Sequence, residues 1–479
     1  MDNKIIKNYL YNLSYQILII VVPLITTPYI SRVLGANGVG TYSYTNSITQ
    51  YFILFGAIGL NLYGQREIAY HQQKRCQYSI TFWEIFLLKG IMLTVSIILF
   101  YFMACLYIKY TSIFLIQILD IIAAIFDISW FFQGLEEFKK IVIRNFIVKI
   151  TGVICIFLFV KNVNDLNLYV LCYSGTILLG NVSMWIYIPK MIEKITFRDL
   201  HLAKHMRPAV MLFIPQIAVS LYTLLDKTMI GLLTNLDAEV AFYEQSQKII
   251  KIALTIVTSL GTVMLPRIAN VYAQNHYEKI QEYMYNTFNF VFILALPITF
   301  GIMAISRNFV PWFFGLGYDK VVLNMMIISP IIFIIGLSNV MGTQYLLPIN
   351  RQTEYTISVV CGSITNLVLN LLLIPILLSY GAAIATVCSE TVVTIVQMYF
   401  VKNDFNLKHV FKYGIKYLLY SIFMFIVVYI LGLYLPATFI STVFQCCIGI
   451  VIYILVLFVT KDQFLIGLLS RIKNKRIGI

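Results

Sequence analysis

Charge is what this sequence has least of. Only 12% of its 479 residues are Asp, Glu, Lys or Arg, about half the share usual in a soluble globular domain, which excludes a water-soluble enzyme. Long polar stretches are missing too. At roughly 20 residues per transmembrane helix plus its connection, the length allows about fourteen crossings, with nothing left for an extramembrane domain. Ten-residue alternating segments are absent, so a β-barrel is excluded. The eight cysteines form no Cys-x-x-Cys pair, and seven of them, Cys105, Cys155, Cys172, Cys361, Cys388, Cys446 and Cys447, fall in or beside apolar runs as small hydrophobes. His201 and His205 stand one helical turn apart without the further ligands of a catalytic zinc, so no metal and no cofactor is expected. There is no Ser-His-Asp set, no paired carboxylate site and no nucleotide motif, and GANGVG (35–40) has neither the Lys-Ser/Thr nor the preceding strand of a phosphate loop.

What is present is apolar. Hydrophobic residues make up 60% of the chain, and the mean hydropathy is +0.84. Lys4 and Lys7 precede a run to Leu34 that is too long for a signal peptide and reads as an uncleaved first span. Further runs predict spans near 41–62, 81–107, 111–133, 141–160 and 166–188, then 208–233, 240–266, 285–306, 321–347, 355–378 and 381–401, and finally 414–435 and 438–460. The expected fold is an all-α integral membrane protein of about fourteen helices. Its divisions are an N-terminal six-helix lobe (1–188), a cytoplasmic connection (189–207), a second six-helix lobe (208–401), and two extra helices with a basic tail (402–479).

Orientation follows from the basic residues. With the N-terminus inside, 25 of the 35 Lys and Arg fall on the cytoplasmic side. Five lie outside (Arg32, Lys109, Lys161, Arg307, Lys320) and five within spans (Lys89, Lys149, Lys227, Lys248, Lys251). That asymmetry places both termini in the cytoplasm. It also accounts for the net charge of +14 as topology and contact with anionic membrane lipids, without nucleic acid.

The two sets of six look related. VGTYSYTNSI from Val39 and VAFYEQSQKI from Val240 align without gaps at an offset of 201 residues. Six spans per copy preserve orientation, so the lobes form a parallel repeat about an axis along the membrane normal, with a cleft between them. Polar residues costly in hydrocarbon mark its walls: Glu244, Lys248 and Lys251 on one stripe; Tyr42, Thr45, Asn46, Thr49 and Gln50 on another; Gln216, Ser220, Asp226 and Lys227 on a third. Asp120 and Asp127 share a face, and Lys89 and Lys149 lie embedded in apolar runs. Structural pairing, such as Lys89 or Lys149 with Asp120 or Asp127, competes with an anion pathway for each lysine. Pro23 and Pro28 in the first span and Pro215 in the seventh bend their helices at corresponding places, which makes them candidate gates.

Several segments resemble a known family in their order: NYLYNLSYQIL, PLITTPYISRVLGANGVGTYSY, GLNLYGQREIA, LDKTMIGLL, EQSQKI, SLGTVMLPRIAN, NLVLNLLLIP and YGAAIATVCSE. The chain is similar to the Wzx-type oligosaccharide-lipid flippases of the multidrug/oligosaccharidyl-lipid/polysaccharide exporter superfamily. The resemblance implies a MATE-like arrangement in the bacterial cytoplasmic membrane. It also implies alternating-access movement of polyprenyl-diphosphate-linked oligosaccharide to the outer leaflet for capsule, O-antigen or exopolysaccharide synthesis, with polymerase and export proteins as partners. On that reading Arg32, Lys89, Lys149, Lys227, Lys248 and Lys251 would contact the diphosphate, and Tyr42 and Asn46 the sugar. Asp120, Asp127, Asp226 and Glu244 are candidates for coupling to H+ or Na+. A lipid II or teichoic-acid precursor flippase would share shape and charge. A cation-coupled multidrug antiporter would call for acidic groups in the cleft, and a membrane-embedded glycan polymerase for a large outside loop with catalytic basic residues.

Overall fold

The computed structural model describes residues 3–193, 195 and 200–462, and in it the side chains of residues 3–20, 214–216, 218–222, 260, 262 and 263 are left undescribed. Among the described residues the regular structure is helical throughout. The helices are α1 (Asn3–Ala57), α2 (Leu60–Tyr70), α3 (Arg75–Leu106), α4 (Thr111–Phe126), α5 (Ser129–Gly134), α6 (Phe138–Phe159), α7 (Leu166–Ser183), α8 (Ile188–Met191) and α9 (Met206–Thr234). They continue with α10 (Asp237–Ala273), α11 (Tyr277–Phe314), α12 (Asp319–Ile328), α13 (Ile331–Met341), α14 (Gln352–Leu377), α15 (Ser379–Val401), α16 (Leu407–Tyr434) and α17 (Phe439–Val459).

Eleven helical segments among the described residues are long and apolar enough to cross a bilayer. The three expected spans not among them, near 9–34, 41–62 and 208–233, fall on α1 and α9. The first two expected spans are run together in α1, where Gly35 alone departs from helical geometry (φ 65°, ψ 178°). The GANGVG turn is thus a one-residue break, at a backbone conformation glycine adopts freely. Polar residues from Thr41 to Gln50 hold the second half of α1 below the hydropathy of the others.

Large apolar side chains are exposed as well as buried. On α16, Ile415, Leu419, Phe423, Ile426, Ile430 and Leu433 form an exposed stripe at three- and four-residue spacing, while Gly414, Tyr417, Ser421 and Gly432 are buried. Such a stripe would be unfavourable in water and is matched to lipid. This is a multi-pass membrane protein. The inward face of α16 mixes these small and polar residues with Val410, Met424 and Val428. A Cβ on Gly414 would lie 2.3 Å from the Phe292 ring of α11, the kind of close approach that helix packing in lipid relies on.

The chain divides into two compact units, Met1–Ala241 and Phe242–Ile479. The division falls inside α10, and α9, the helix read from sequence as opening the second lobe, packs with the first unit. Within that unit, Leu60, Tyr63, Phe82, Ile85, Trp130 and Phe131 form a buried aromatic-rich core. A Cβ on Gly64 of α2 would stand 2.6 Å from Trp130, so glycine is what lets α2 lie against α5. In the second unit, Arg351 joins the α14 start to the α15 end through Glu354, Asp404 and the Phe400 carbonyl. Burial alone would disfavour the charged guanidinium, but the two carboxylates more than offset this and raise its pKa.

The polar connection after α8 is fastened at its far end. Glu84 of α3 is buried and accepts from the His201 backbone N–H (2.7 Å), Lys204 Nζ (2.8 Å) and His205 Nε2 (2.9 Å). The other His205 nitrogen, Nδ1, lies 2.8 Å from the Tyr63 hydroxyl. A neutral imidazole protonated on Nε2 satisfies the chain, with Tyr63 donating to Nδ1 and Nε2 donating to Glu84. The His201/His205 spacing therefore serves this anchor. Glu84→Ala should destabilise the protein by about 3–5 kcal/mol, seen as a lowered Tm in detergent and faster proteolysis in the connection. Lys204→Ala, at the exposed end, should cost about 1 kcal/mol or less. An unshifted Tm for Glu84→Ala would refute the anchor.

Candidate functional site

The first unit contains a cavity of about 270 Å³ with a mixed polar and apolar lining. Gln50, Ile53, Leu54 and Ala57 supply one wall from α1; their spacing of three, one and three puts them on a single helical face. Gly59 and Asn61 supply the second wall, and Thr223 and Leu224 of α9 the third. The turn from α1 into α2 is tight, with Ile58 (φ 43°) and Gly59 (φ 69°) both left-handed. A Cβ on Gly59 would meet the Ala209 carbonyl at 3.0 Å and Phe213 at 3.1 Å, so this turn is pressed onto α9 and fixes where α2 begins.

Behind Asn61 lies Lys89 of α3, only 1% exposed. Its ammonium donates to Asn61 Oδ1 at 2.8 Å and to the Asp127 carbonyl oxygen at 2.9 Å. The Asp127 carboxylate is engaged elsewhere. It accepts from the Ser129 N–H (3.0 Å) and hydroxyl and lies 3.7 Å from Arg144. Arg144 in turn donates to Asn181 of α7 at 2.6 Å and to the Ser129 hydroxyl at 3.0 Å. Of the four pairings of Lys89 or Lys149 with Asp120 or Asp127 open in the sequence, none is a direct ion pair among the described residues. The carboxylate that was a candidate ion site is part of a structural network with an arginine.

The remaining expected residues are dispersed. Asp120 of α4 is buried beside Ser174 of α7, and its Oδ2 lacks a hydrogen-bond partner. Lys149 is half-buried on α6, and Arg32 is exposed on α1 just before the Gly35 break. Tyr42 packs edge-on against Tyr169 and Tyr173 of α7, with ring centroids 5.1 and 5.8 Å apart. Asn46 is half-buried one turn further along. Thr45 and Thr49, read from the same stripe as cleft residues, turn into the bundle instead. Thr49 donates to Gln117 Oε1 (2.9 Å), and Gln117 donates to Thr45 (3.2 Å). Their hydroxyls find a protein partner on α4, and only Gln50 reaches the cavity.

Asp226 of α9 is buried and Lys227 half-buried. In the second unit, Glu244 and Lys248 are half-buried and Lys251 is exposed, all on α10. Pro23 and Pro28 lie inside α1, half-buried, and the helix breaks at Gly35 rather than at either proline. Pro215 falls within α9, but its side chain lies outside the described residues. Among the described residues no group of three or more His, Cys, Asp and Glu could hold a metal ion. Sequence reasoning missed Asn61 and Arg144. Both are polar residues at the ends of apolar runs, and the available signal was Lys89, an embedded cation that must find acceptors nearby.

A family model described as "Polysaccharide biosynthesis protein" matches residues 5–272. The chain belongs to this family. A second model, MatE, matches residues 212–376 of the same family member. The protein named "Putative O-antigen transporter" of Escherichia coli (strain K12) is 24% identical over 396 residues, covering 80% of this chain and 93% of that protein. Among solved structures, "Lipid II flippase MurJ, inward closed conformation" has TM-score 0.74 at 16% identity, covering 95% of this chain and 99% of that one. An inward-facing MATE-family multidrug transporter of the MOP superfamily has TM-score 0.64 at 12% identity, covering 85% and 96%. These likenesses establish the fold, and the family match identifies the chain as a polysaccharide biosynthesis protein.

If the cavity is hydrated, single cysteines placed at Gln50, Asn61 or Thr223 in a cysteine-free background should react with a membrane-impermeant charged maleimide. Cysteines at Thr45 and Thr49 should react at least tenfold more slowly. Equal rates at both sets would show that the polar stripe of α1 is not divided as described.

Proposed function

We propose that this protein is a flippase moving polyprenyl-diphosphate-linked oligosaccharide from the cytoplasmic to the outer leaflet of a bacterial membrane by alternating access, with both termini in the cytoplasm. What carries the reading is the similarity to an O-antigen transporter along 93% of that protein's length, in a family whose description is polysaccharide biosynthesis. The site chemistry supports it. A diphosphate and its hydrated sugars cannot enter hydrocarbon unaided. Ammonium groups at or behind the wall of a cavity replace part of that hydration, while the prenyl chain remains in lipid. Lys89 stands behind the wall of the first-unit cavity, its charge one side chain from the lumen through Asn61, and Lys149, Lys248 and Lys251 add positive charge along spanning helices.

With the cell interior negative, carrying two negative charges outward gains roughly 2.3 kcal/mol per charge per 100 mV, which supplies a driving force without ATP. Asp120, a buried carboxyl without an ionic partner among the described residues, is the acidic group best suited to bind a coupling proton. The protein itself then does no bond chemistry; it is a transporter, and the assembled glycan passes to polymerase and export proteins.

Neutralising two or more of Lys89, Lys149, Lys248 and Lys251 should abolish glycan export, with folded protein still present in the membrane. Full export by the multiple variant would remove the anion-pathway assignment. In proteoliposomes, Asp120→Asn should eliminate any dependence of transport on a proton gradient. Retained dependence would exclude Asp120 as the coupling group.

A further inference from the structure

We propose that Asn61 reads the substrate's anionic oxygen in the first-unit cavity, its amide NH₂ donating to that oxygen and its orientation fixed by Lys89. The proposal rests on the flippase reading above and names the group that meets the charged part of the cargo.

A carboxamide has a donor end and an acceptor end that sterics alone do not distinguish. At Asn61 the choice is made by chemistry. An ammonium group has only protons to offer, so the amide atom 2.8 Å from Lys89 Nζ is the carbonyl oxygen. The NH₂ group is then directed away from Lys89, on a side chain that is exposed and lines the cavity. No described residue takes its protons. The ammonium cannot itself reach a ligand, being 1% exposed. It polarises the amide in front of it, as linked hydrogen bonds do in a low-dielectric interior.

The charge behind Asn61 is also not cancelled by contact. The Asp127 carboxylate is turned to Ser129 and Arg144, and what Lys89 receives from that residue is the backbone carbonyl. The direct hydrogen-bond acceptors of this buried ammonium are neutral and the Asp127 carboxylate acts on it only at longer range, so part of its burial cost remains, and an anion arriving at Asn61 offsets it. The backbone beside it is strained in the same direction. Ile58 is β-branched at φ 43°, a conformation that such residues rarely adopt, and with Gly59 wedged on α9 it sets Asn61 as the second residue of α2. Strain, a buried cation and an oriented donor meet at one wall of one cavity.

A purely structural Asn61 would only give Lys89 an acceptor. Asn61→Asp separates the two roles, because aspartate is the same shape and accepts from Lys89 more strongly, but has no NH₂. The variant should keep the wild-type Tm. In nanodiscs, wild-type protein should bind farnesyl diphosphate at least tenfold more tightly than farnesol, and Asn61→Asp should lose that preference at least tenfold. Glucuronate forms a second arm. If it binds, and is lost in Asn61→Asp while the diphosphate shows no preference, the oxygen read belongs to an acidic sugar and the proposal stands.

As a second measurement independent of the variant's folding, Gln50→Cys with Asn61 intact should be protected from maleimide at least fivefold by whichever anion binds, and not by farnesol. Wild-type selectivity in Asn61→Asp, absence of selectivity for either anion in the wild type, or no protection at Gln50→Cys would each overturn the proposal. The flippase reading fails separately, if wild-type proteoliposomes move no polyprenyl-diphosphate-linked glycan.

Discussion

Hydrocarbon offers no partner to a polar atom, and this one constraint sorts every polar side chain on the spanning helices. Most are satisfied by the protein or open onto water, and among the described residues the Asp120 Oδ2 atom is one that is left over. Thr45, Thr49 and Gln117 satisfy one another inside the first bundle. Asp127, Ser129, Arg144 and Asn181 form a second closed set, and Glu84 a third with His205, Tyr63 and Lys204. Once these sets are closed, the polar atoms that remain directed at a cavity are few. Function in such a protein is the residue left over after structure has taken its share.

The same constraint explains the two kinds of surface on each helix. Bulky apolar side chains lie outward on α16 because lipid accepts them, and Gly414, Ser421 and Gly432, interspersed among larger inward residues, let helices in lipid approach closely. Helix-to-helix cohesion therefore comes from shape at positions such as Gly64 against Trp130 and Gly414 against Phe292, and from hydrogen bonds between helices. The hydrophobic effect fixes that the helices are in the membrane and says little about which helix touches which.

That difference accounts for what could be read from residues alone. The all-helical membrane fold was legible because a span of about 20 apolar residues is a local property, and the family was legible because long segments keep their order. Span ends were less so: a single glycine at 35, and not six residues, separates the halves of α1. Partners across helices were not legible at all. Lys89 is buried, as its place in an apolar run predicts, but the sequence offered its pairing with the Asp127 carboxylate as one option, and the contact is to the Asp127 backbone. Periodicity placed Thr45 and Gln50 on one stripe, yet five residues of helix turn them to different neighbours. Asn61 carried no signal of its own, being a polar residue at the edge of an expected span, beside a Gly turn, where asparagine is ordinary.

The anchoring of α9 has a mechanical consequence. Its leading end is tied to α3 through His205 and Glu84. Just past its trailing end, Asp237 accepts from Thr41, Lys109 and Tyr110, while Gly231 sits against the Tyr44 ring. Clamped at both ends, α9 is built into the first unit as a strut. The chain leaves that body at Ala241 through unbroken helix. A rod pinned at both ends can neither roll nor slide, so Asp226 and Lys227, between the pinned ends of α9, keep a fixed register within the first unit.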